Sequence, residues 1–370
     1  MKILVLPNTF KGSLSASAAA RILSRALSPR HSVCAFPISD GGDGLLAFFQ
    51  ALDKKSILIK TRAKNAFGQI KNTAFLMLGD RQTAVIETAR ICGLGNTPKE
   101  NLDPLGASSH GVGQVLLKAA QKGAHKIFIG LGGVACSDGG AGMLMACGAQ
   151  MTDKTGHSLA LGAAALLNIN KICLQPIYAR NPALRNVTFI GLSDVKNPVL
   201  GPKSSAKVFG PQKGATPAQV KLLDKALGAW VRALAKETGK NISRQAGTAA
   251  AGAIGAGLAG GFNASLVQGA QTLFEHAHLE KFVKQADLII TTEGKLDRQT
   301  FYGKAPLAVL QLARKHHKKV LFICGQLDGK GLKKQPLLPD QIIVLSDFAT
   351  DTEDAKKHAA KYLAQVCKNI

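Results

Sequence analysis

The chain has 370 residues, with 47 Lys plus Arg against 23 Asp plus Glu, a formal net charge of +24 with histidine neutral. Because 46% of the residues are apolar and only 19% are charged, it can bury a sizeable core, which excludes general disorder. Its 39 glycines follow no Gly-X-Y period, which excludes collagen, and aromatics at 5% give little support to a base-stacking platform for nucleic acid.

At about 150 residues per domain, this length predicts two domains or one large one. Short apolar runs alternate along the chain with Ala/Leu-rich helical patterns. Strands are predicted at Ile3–Leu6, Val33–Ile38, Ser56–Lys60, Thr73–Leu78, Thr83–Glu87, Lys126–Gly130, Val187–Leu192, Leu288–Thr291, Val320–Cys324 and Ile342–Leu345. Helices are predicted at Ala16–Ala26, Leu45–Ala51, Gly113–Ala120, Pro217–Thr238, Pro306–His316 and Thr352–Val366. Such alternation makes the fold class α/β with parallel pairing, because parallel strands need crossover connections. Residues 65–87 break the rhythm: Phe67-Gly68 is a turn signal, and two strands follow with Gly79-Asp80 between them. The chain therefore reads as an open, Rossmann-like α/β domain made of residues 1–60 and 285–370. Residues 61–284 would form an inserted domain of mixed sheet.

The opening Met1–Pro7 run is too short for a secretory signal and reads as a buried first strand. Residues 245–274 carry no charge and contain a G-x-x-x-G at Gly257–Gly261, but small residues dominate, so close packing is expected rather than a membrane span. The seven cysteines form no C-x-x-C pair, which argues for reduced thiols in a cytoplasmic protein. Basic residues are spread along the chain apart from Arg314–Lys319, and no nucleic-acid-binding motif is present, so the charge reads as a basic surface that attracts small anions.

An internal echo carries most of the functional information. Ser39-Asp40-Gly41-Gly42-Asp43-Gly44 and Ser137-Asp138-Gly139-Gly140-Ala141-Gly142 each follow a strand and precede an apolar helical pattern. Strand, glycine loop and helix together aim backbone N–H groups at an anion, and a Cβ would block its approach. The aspartates of such loops suit Mg²⁺ on that anion, although Asp is equally a common helix cap. Gly130-Leu131-Gly132-Gly133-Val134-Ala135 fits the G-x-G-x-x-A dinucleotide fingerprint, which keeps a nicotinamide-dependent 2-hydroxy-acid dehydrogenase in view. No Walker A motif exists, since every Gly-Lys pair lacks the following Ser or Thr, and a P-loop kinase is excluded.

Other charged groups fall at predicted strand ends. Lys11 follows the first strand, where open α/β sheets bind ligands, and Lys213 sits in the turn Phe209–Gly214. Asp194 ends the strand Val187–Leu192, a rigid position suited to a base or a metal ligand. Glu293 and Asp297 follow the strand Leu288–Thr291 and read either as solvated acids at a helix start or as functional groups.

Together these stretches resemble the bacterial glycerate kinases of the type-1 family. The similarity runs through Asn8–Ser15, Ser39–Gly44, Gly130–Gly142, Asp194–Gly201, Phe209–Gly214, Gly247–Leu258 and Glu293–Pro306, in the family's order over nearly the whole chain. The resemblance implies ATP- and Mg²⁺-dependent phosphorylation of D-glycerate at the 2-hydroxyl in the cytoplasm, with 3-phosphorylation as the alternative. It also implies two α/β domains with a cleft between them, no nucleic-acid or membrane partner, and room for a homodimer. Carried onto this sequence, it makes Asp194 and Lys11 catalytic. It places Ser13, Asp40, Gly41, Gly42, Gly132, Gly133, Ser137, Asp138, Gly139, Asn197, Lys213 and Lys304 on substrate or phosphate, and Glu293 and Asp297 on Mg²⁺. Asp194 is open to either proton acceptance or Mg²⁺ binding, with Glu293 and Asp297 as competitors. All of these groups are expected to line a common pocket.

The chain departs from the family pattern at Asn8 (usually Asp), at Asp43-Gly44-Leu45 (usually Glu-Gly-Thr) and at Thr292-Glu293-Gly294 (usually Gly-Glu-Gly). It also has Gly132-Gly133-Val134-Ala135-Cys136-Ser137-Asp138 where the family has Gly-Gly-Ser-Ala-Thr-Asn-Asp. These changes remove potential side-chain donors for phosphate, so they bear on affinity, efficiency or substrate choice more than on fold.

Overall fold

A computed structural model describes residues 1–95, 97–301, 305–329, 332, 335 and 337–370. The chain divides into two compact units. The first comprises Met1–Asp40, Ala47–Leu52 and Gly269–Ile370, and the second Gly41–Leu46 and Asp53–Gln268.

Five strands build the first unit: β1 (Lys2–Pro7), β2 (Ser32–Ala35), β11 (Leu288–Leu296), β12 (Lys319–Leu327) and β13 (Gln341–Val344), numbered along the whole chain. Every pairing is parallel, in the order β13-β12-β11-β1-β2. Taken in their own sequence, these strands run 2-1-3-4-5, the flavodoxin-like order whose topological switch point lies between β1 and β11. Ile3, Val5, Ile290, Leu321 and Ile323 are buried under the helix Ala16–Leu27, which turns Ala19, Leu23 and Leu27 inward. The Ser15 hydroxyl accepts from Ala18 N and starts that helix. Strands covered on both faces read as continuous apolar runs, and for that reason β1 is plain in the sequence.

The second unit carries a six-stranded sheet of β3 (Ile57–Lys64), β4 (Ile70–Met77), β5 (Thr83–Glu87), β6 (Lys126–Gly130), β9 (Thr188–Leu192) and β10 (Ser265–Val267), in the order β10-β9-β6-β5-β4-β3. β3, β4 and β5 form an antiparallel meander, and the rest is parallel, so the sheet is mixed. Asn65 Oδ1 accepts from Phe67 N and Gln69 N, and Gly68 takes φ +81°, which closes the β3–β4 turn. Asp80 Oδ1 does the same for the β4–β5 turn through Gln82 N and Thr83 N. The division drawn at residue 60 falls inside β3.

Other differences from the sequence reading are local. β7 (Gln150–Thr152) and β8 (Lys171–Cys173) pair antiparallel and were not foreseen; three residues each are too few to show a period. β11 and β12 run five and three residues further than predicted, so Glu293 lies within a strand rather than at a helix start. The helix predicted over residues 352–366 is two, Thr352–Lys357 and Ala359–Val366, parted at His358. In the small-residue tract, Gly257 packs on Gly140 and Gly261 on Leu144, where a Cβ would sit 2.9 and 2.6 Å from its neighbour, so close packing is its use. Among the described residues no helix is long and apolar enough to cross a membrane.

Candidate active site

In the first unit, the predicted groups gather at the carboxyl edge of the sheet. Beyond β1 the chain turns through Asn8–Ser13, with Phe10 buried and Lys11 exposed. That turn rests on β11: a Cβ on Gly294 would lie 2.9 Å from Lys11 N, so only glycine lets it sit there. Thr291 and Thr292 hydroxyls donate to Leu6 O and Asn8 O at 2.8 Å and fix the two strand ends together. Glu293, only 6% exposed, accepts from the Thr300 hydroxyl at 2.7 Å, and that hydroxyl in turn accepts from Asp297 N. On the other side of β1, Phe36 N and Ile38 N donate to Val5 O and Pro7 O, extending the ladder to just before Asp40. Lys11, Asp40, Glu293 and Asp297 thus share the edge where ligands of open α/β sheets bind. Ser13 instead donates its hydroxyl to Lys356 O.

In the second unit, the first of the two echoed loops is packed against Gly130–Gly133, the glycine run that precedes the other echoed loop. A Cβ on Gly130 would lie 2.5 Å from Gly41 O, one on Gly132 would lie 3.1 Å from the Gly42 Cα, and one on Gly133 would lie 3.4 Å from Asp43 Oδ1. Gly41, at φ +89°, is pressed on Leu192 at the end of β9. Glu87, the last residue of β5, holds the first loop: its Oε1 accepts from Leu46 N at 2.8 Å. Burial raises the Glu87 pKa, against the lowering by the Leu46 N–H and the Arg90 guanidinium 3.7 Å away. Thr88 next to it donates to Gly130 O at 2.7 Å and so ties the Gly130–Gly133 run to the same strand end.

The second echoed loop, Ser137–Gly142, is built on buried charge. Asp138 is fully buried; its Oδ2 accepts from Ser108 Oγ (3.0 Å), Ser109 N (2.7 Å), Ser109 Oγ (2.9 Å) and Gly142 N (3.2 Å), and its Oδ1 from Gly140 N (3.3 Å). Five donors outnumber the roughly four lone-pair sites of a carboxylate, so Asp138 shapes the loop from beneath rather than facing a ligand. Ser137 is also buried, and its Oγ lies 3.3 Å from Lys213 Nζ. Lys213 is buried too and donates to Cys136 O; burial lowers its pKa, an effect that the nearby Asp138 opposes. Gly139, at φ +67°, lies under the Trp230 indole, whose Nε1 donates to Gly139 O at 3.0 Å.

Opposite that loop, Ala251, Gly252 and Ala253 all adopt left-handed backbone angles. Such a run stores strain that only its surroundings can hold. Gly252 O accepts from Gly139 N at 3.1 Å, and a Cβ on Gly252 would meet Cys136 O at 2.0 Å and Lys213 Nζ at 2.8 Å. Asp194 follows β9 by two residues and is half-buried. Its loop is laced to residues 247–249, since Ala249 N donates to Asn197 O and Val199 N to the Thr248 hydroxyl. The Asn197 side chain donates to Lys203 O at 2.9 Å.

Lys304 lies outside the described residues. Ten residues separate the end of β6 from the next helix, Ala141–Ala146, so Gly130–Ala135 lacks the strand–turn–helix context that a dinucleotide fingerprint requires. Among the described residues no three His, Cys, Asp or Glu side chains cluster as a metal site. Mg²⁺ needs less, one or two carboxylates with phosphate oxygens and water, and Glu293 and Asp297 supply that donor chemistry at the sheet edge. Sequence reasoning missed Glu87, Thr88, Ser108 and Ser109. Their signal was position alone, since each stands at a strand end or just before a helix.

Comparison with known proteins bears on this arrangement. The model of the glycerate kinase family matches residues 3–370. A glycerate kinase of Halalkalibacterium halodurans is 35% identical over 333 residues, covering 89% of this chain and 86% of the relative. A glycerate 2-kinase of Escherichia coli K12 is 33% identical over 378 residues, covering 100% of this chain and 97% of the relative. A crystal structure described as a glycerate kinase 2 from Salmonella typhimurium LT2 superposes with a TM-score of 0.82 at 32% identity, covering 100% of this chain and 96% of that one.

Proposed function

The chain belongs to the glycerate kinase family, and we propose that it transfers the γ-phosphoryl group of ATP to the 2-hydroxyl of D-glycerate in the cytoplasm. The observation that carries this reading is the pair of glycine loops, Gly41–Gly42 and Gly130–Gly133, packed on each other at strand ends with glycine required by close approach. Phosphoryl transfer asks a protein for positioning and charge neutralisation more than for covalent chemistry. Backbone N–H groups of those loops suit phosphate oxygens, and the buried Lys213 ammonium donates to Cys136 O, three residues beyond Gly133. Exposed Lys11 at the first unit's sheet edge is a second counter-charge for phosphate or carboxylate. Asp194, held on a loop laced to residues 247–249, is the candidate to accept the hydroxyl proton. Mg²⁺, when bound by Glu293 and Asp297, supplies neutralisation of phosphate charge. The 2-position is favoured by the full-length relative named as a glycerate 2-kinase.

The test is direct: purified protein is mixed with D-glycerate, ATP and Mg²⁺, and the product isomer is identified by NMR. Formation of 2-phosphoglycerate with stoichiometric ADP is expected. Formation of 3-phosphoglycerate would overturn the regiochemistry, and no glycerate-dependent ADP would overturn the reaction.

A further inference from the structure

The second unit holds a cavity of about 260 Å³ whose polar wall is made by Lys64, Asn65, Asp103, Ser108 and His110, with Phe67 beside them. Lys64 ends β3 and His110 opens the helix His110–Gln121; both are half-buried. Among the described residues the Lys64 ammonium has no ion-pair partner and the His110 ring makes no hydrogen bond, its Nδ1 being shut away from solvent as well. Burial disfavours a charged His110 and Lys64 repels it as well, while Asp138 acts in the other direction. Asp103 shares the cavity wall but makes no ion pair with Lys64, and its Oδ1 accepts from Leu105 N and Gly106 N in a turn. Asn65 is similarly committed through its Oδ1 to Phe67 N and Gln69 N. Two basic side chains drawn partly out of water without a paired acid gain nothing from the fold alone; an anionic occupant would change that balance.

We infer that this cavity seats the acceptor of the kinase, a short hydroxycarboxylate of glycerate's size. The Lys64 ammonium lies against its carboxylate, and the His110 ring hydrogen-bonds a hydroxyl. The inference rests on the kinase reading above and adds the place and the residues that choose the substrate class. Size favours the acceptor over the nucleotide, since pockets for drug-sized ligands run ~300–1,000 Å³. The cavity also reaches the glycine loop through one residue. Ser108 on its wall donates to Asp138 Oδ2 and accepts from His110 N, so an occupant lies one hydroxyl from the carboxylate that shapes Gly139–Gly142.

The test uses the full chain and D-glycerate alone, followed by calorimetry without nucleotide, on wild type, Lys64→Met and His110→Asn. Both variants should bind glycerate at least about tenfold more weakly and raise its KM by a similar factor, with the KM for ATP unchanged. Thermal melts establish that each variant is folded. As a measurement that needs no variant of the binding residues, the His110 Cε1–H NMR resonance of wild type should shift on saturation with D-glycerate. Unchanged glycerate affinity in both folded variants, a rise in KM for ATP instead, or a His110 resonance that does not move would each overturn the assignment. Wild type that binds glycerate in this way yet produces no phosphoglycerate would overturn the kinase reading and leave the cavity assigned. Wild type that phosphorylates glycerate with both variants unimpaired would overturn the cavity and leave the kinase.

Discussion

Asp138 offers the sharpest test of how the glycine loop is held. Asp138→Ala removes the acceptor of five hydrogen bonds. The Ser108 and Ser109 hydroxyls can turn to other acceptors, but the Ser109, Gly140 and Gly142 N–H groups are fixed by the backbone and lose their acceptor in a buried setting. A buried donor left unmet costs about 1–3 kcal/mol, and the Gly140 and Gly142 bonds are long, at 3.3 and 3.2 Å. Counting Ser109 N near the top of that range and the other two near the bottom gives a loss of about 4–5 kcal/mol for the alanine variant. Asp138→Asn keeps the oxygen that serves four donors when its amide nitrogen takes the Oδ1 position, where it opposes only Gly140 N, so a loss of about 1–2 kcal/mol is expected. Urea unfolding reads both as shifts in midpoint at constant m. An alanine variant within about 1 kcal/mol of wild type would refute the reasoning. So would an asparagine variant of wild-type stability whose turnover has collapsed, because that pattern belongs to a ligand-facing carboxylate.

Three further outcomes follow from the same geometry. Asp194→Asn should lower kcat by orders of magnitude while the urea midpoint stays put; near-normal turnover removes Asp194 from the mechanism. Gly252→Ala should destabilise by more than about 1 kcal/mol, since the backbone sits at φ +62° and the new methyl would meet Cys136 O and Lys213 Nζ; an unchanged midpoint would show that the left-handed turn is not held in place. His110 has its pKa lowered from 6.5 by burial and by Lys64, so as the pH falls the unfolded chain takes up that proton before the folded one does. Its contribution is therefore present above pH 6.5 and lost as the pH drops through the folded-state value, and denaturant titrations across that window should show a shallower slope for His110→Asn than for wild type.

Much of this was legible in the sequence wherever a local signal existed. β1 and β6 announce themselves as apolar runs, the two S-D-G-G loops as an echo, and the Asn65–Gly68 turn by its Asx-plus-glycine chemistry. What stayed hidden was set by long-range packing. That β11 carries on through Glu293 and Gly294 depends on its pairing with β12 as far as Leu327, which no window of residues reveals. Ser137 and Asp138 matched an anion-cradling pattern, yet the pattern says nothing of which way a side chain turns; both turn inward, toward Lys213 and toward Ser108 and Ser109. Lys64 and His110 lie forty-six positions apart and share a cavity only because β3 and the helix His110–Gln121 pack together, with Lys64 N donating to the Gln114 side chain at 2.8 Å.

The same distinction changes the meaning of the chain's departures from its family. Val134 and Cys136, on either side of Ala135, stand where the family pattern has Ser and Thr, and were expected to cost the protein phosphate donors. All three are at most 3% exposed, and the segment pairs with residues 92–94 through Ala135 N to Cys92 O, Leu94 N to Gly133 O and a bridge between Gly93 and Val134. The Cys136 and Cys92 sulfurs lie 4.0 Å apart, in surroundings where burial and mutual proximity hold the Cys136 thiol protonated. A hydroxyl in place of that sulfur would face a thiol rather than a ligand, so apolar side chains suit this stretch. What the stretch offers an anion is backbone: the Cys136 carbonyl positions the Lys213 ammonium, and the flanking glycines leave room for close approach. Side-chain donors lost at 134 and 136 are therefore lost from the underside of the loop, and the main-chain N–H groups proposed above to meet phosphate are not among them.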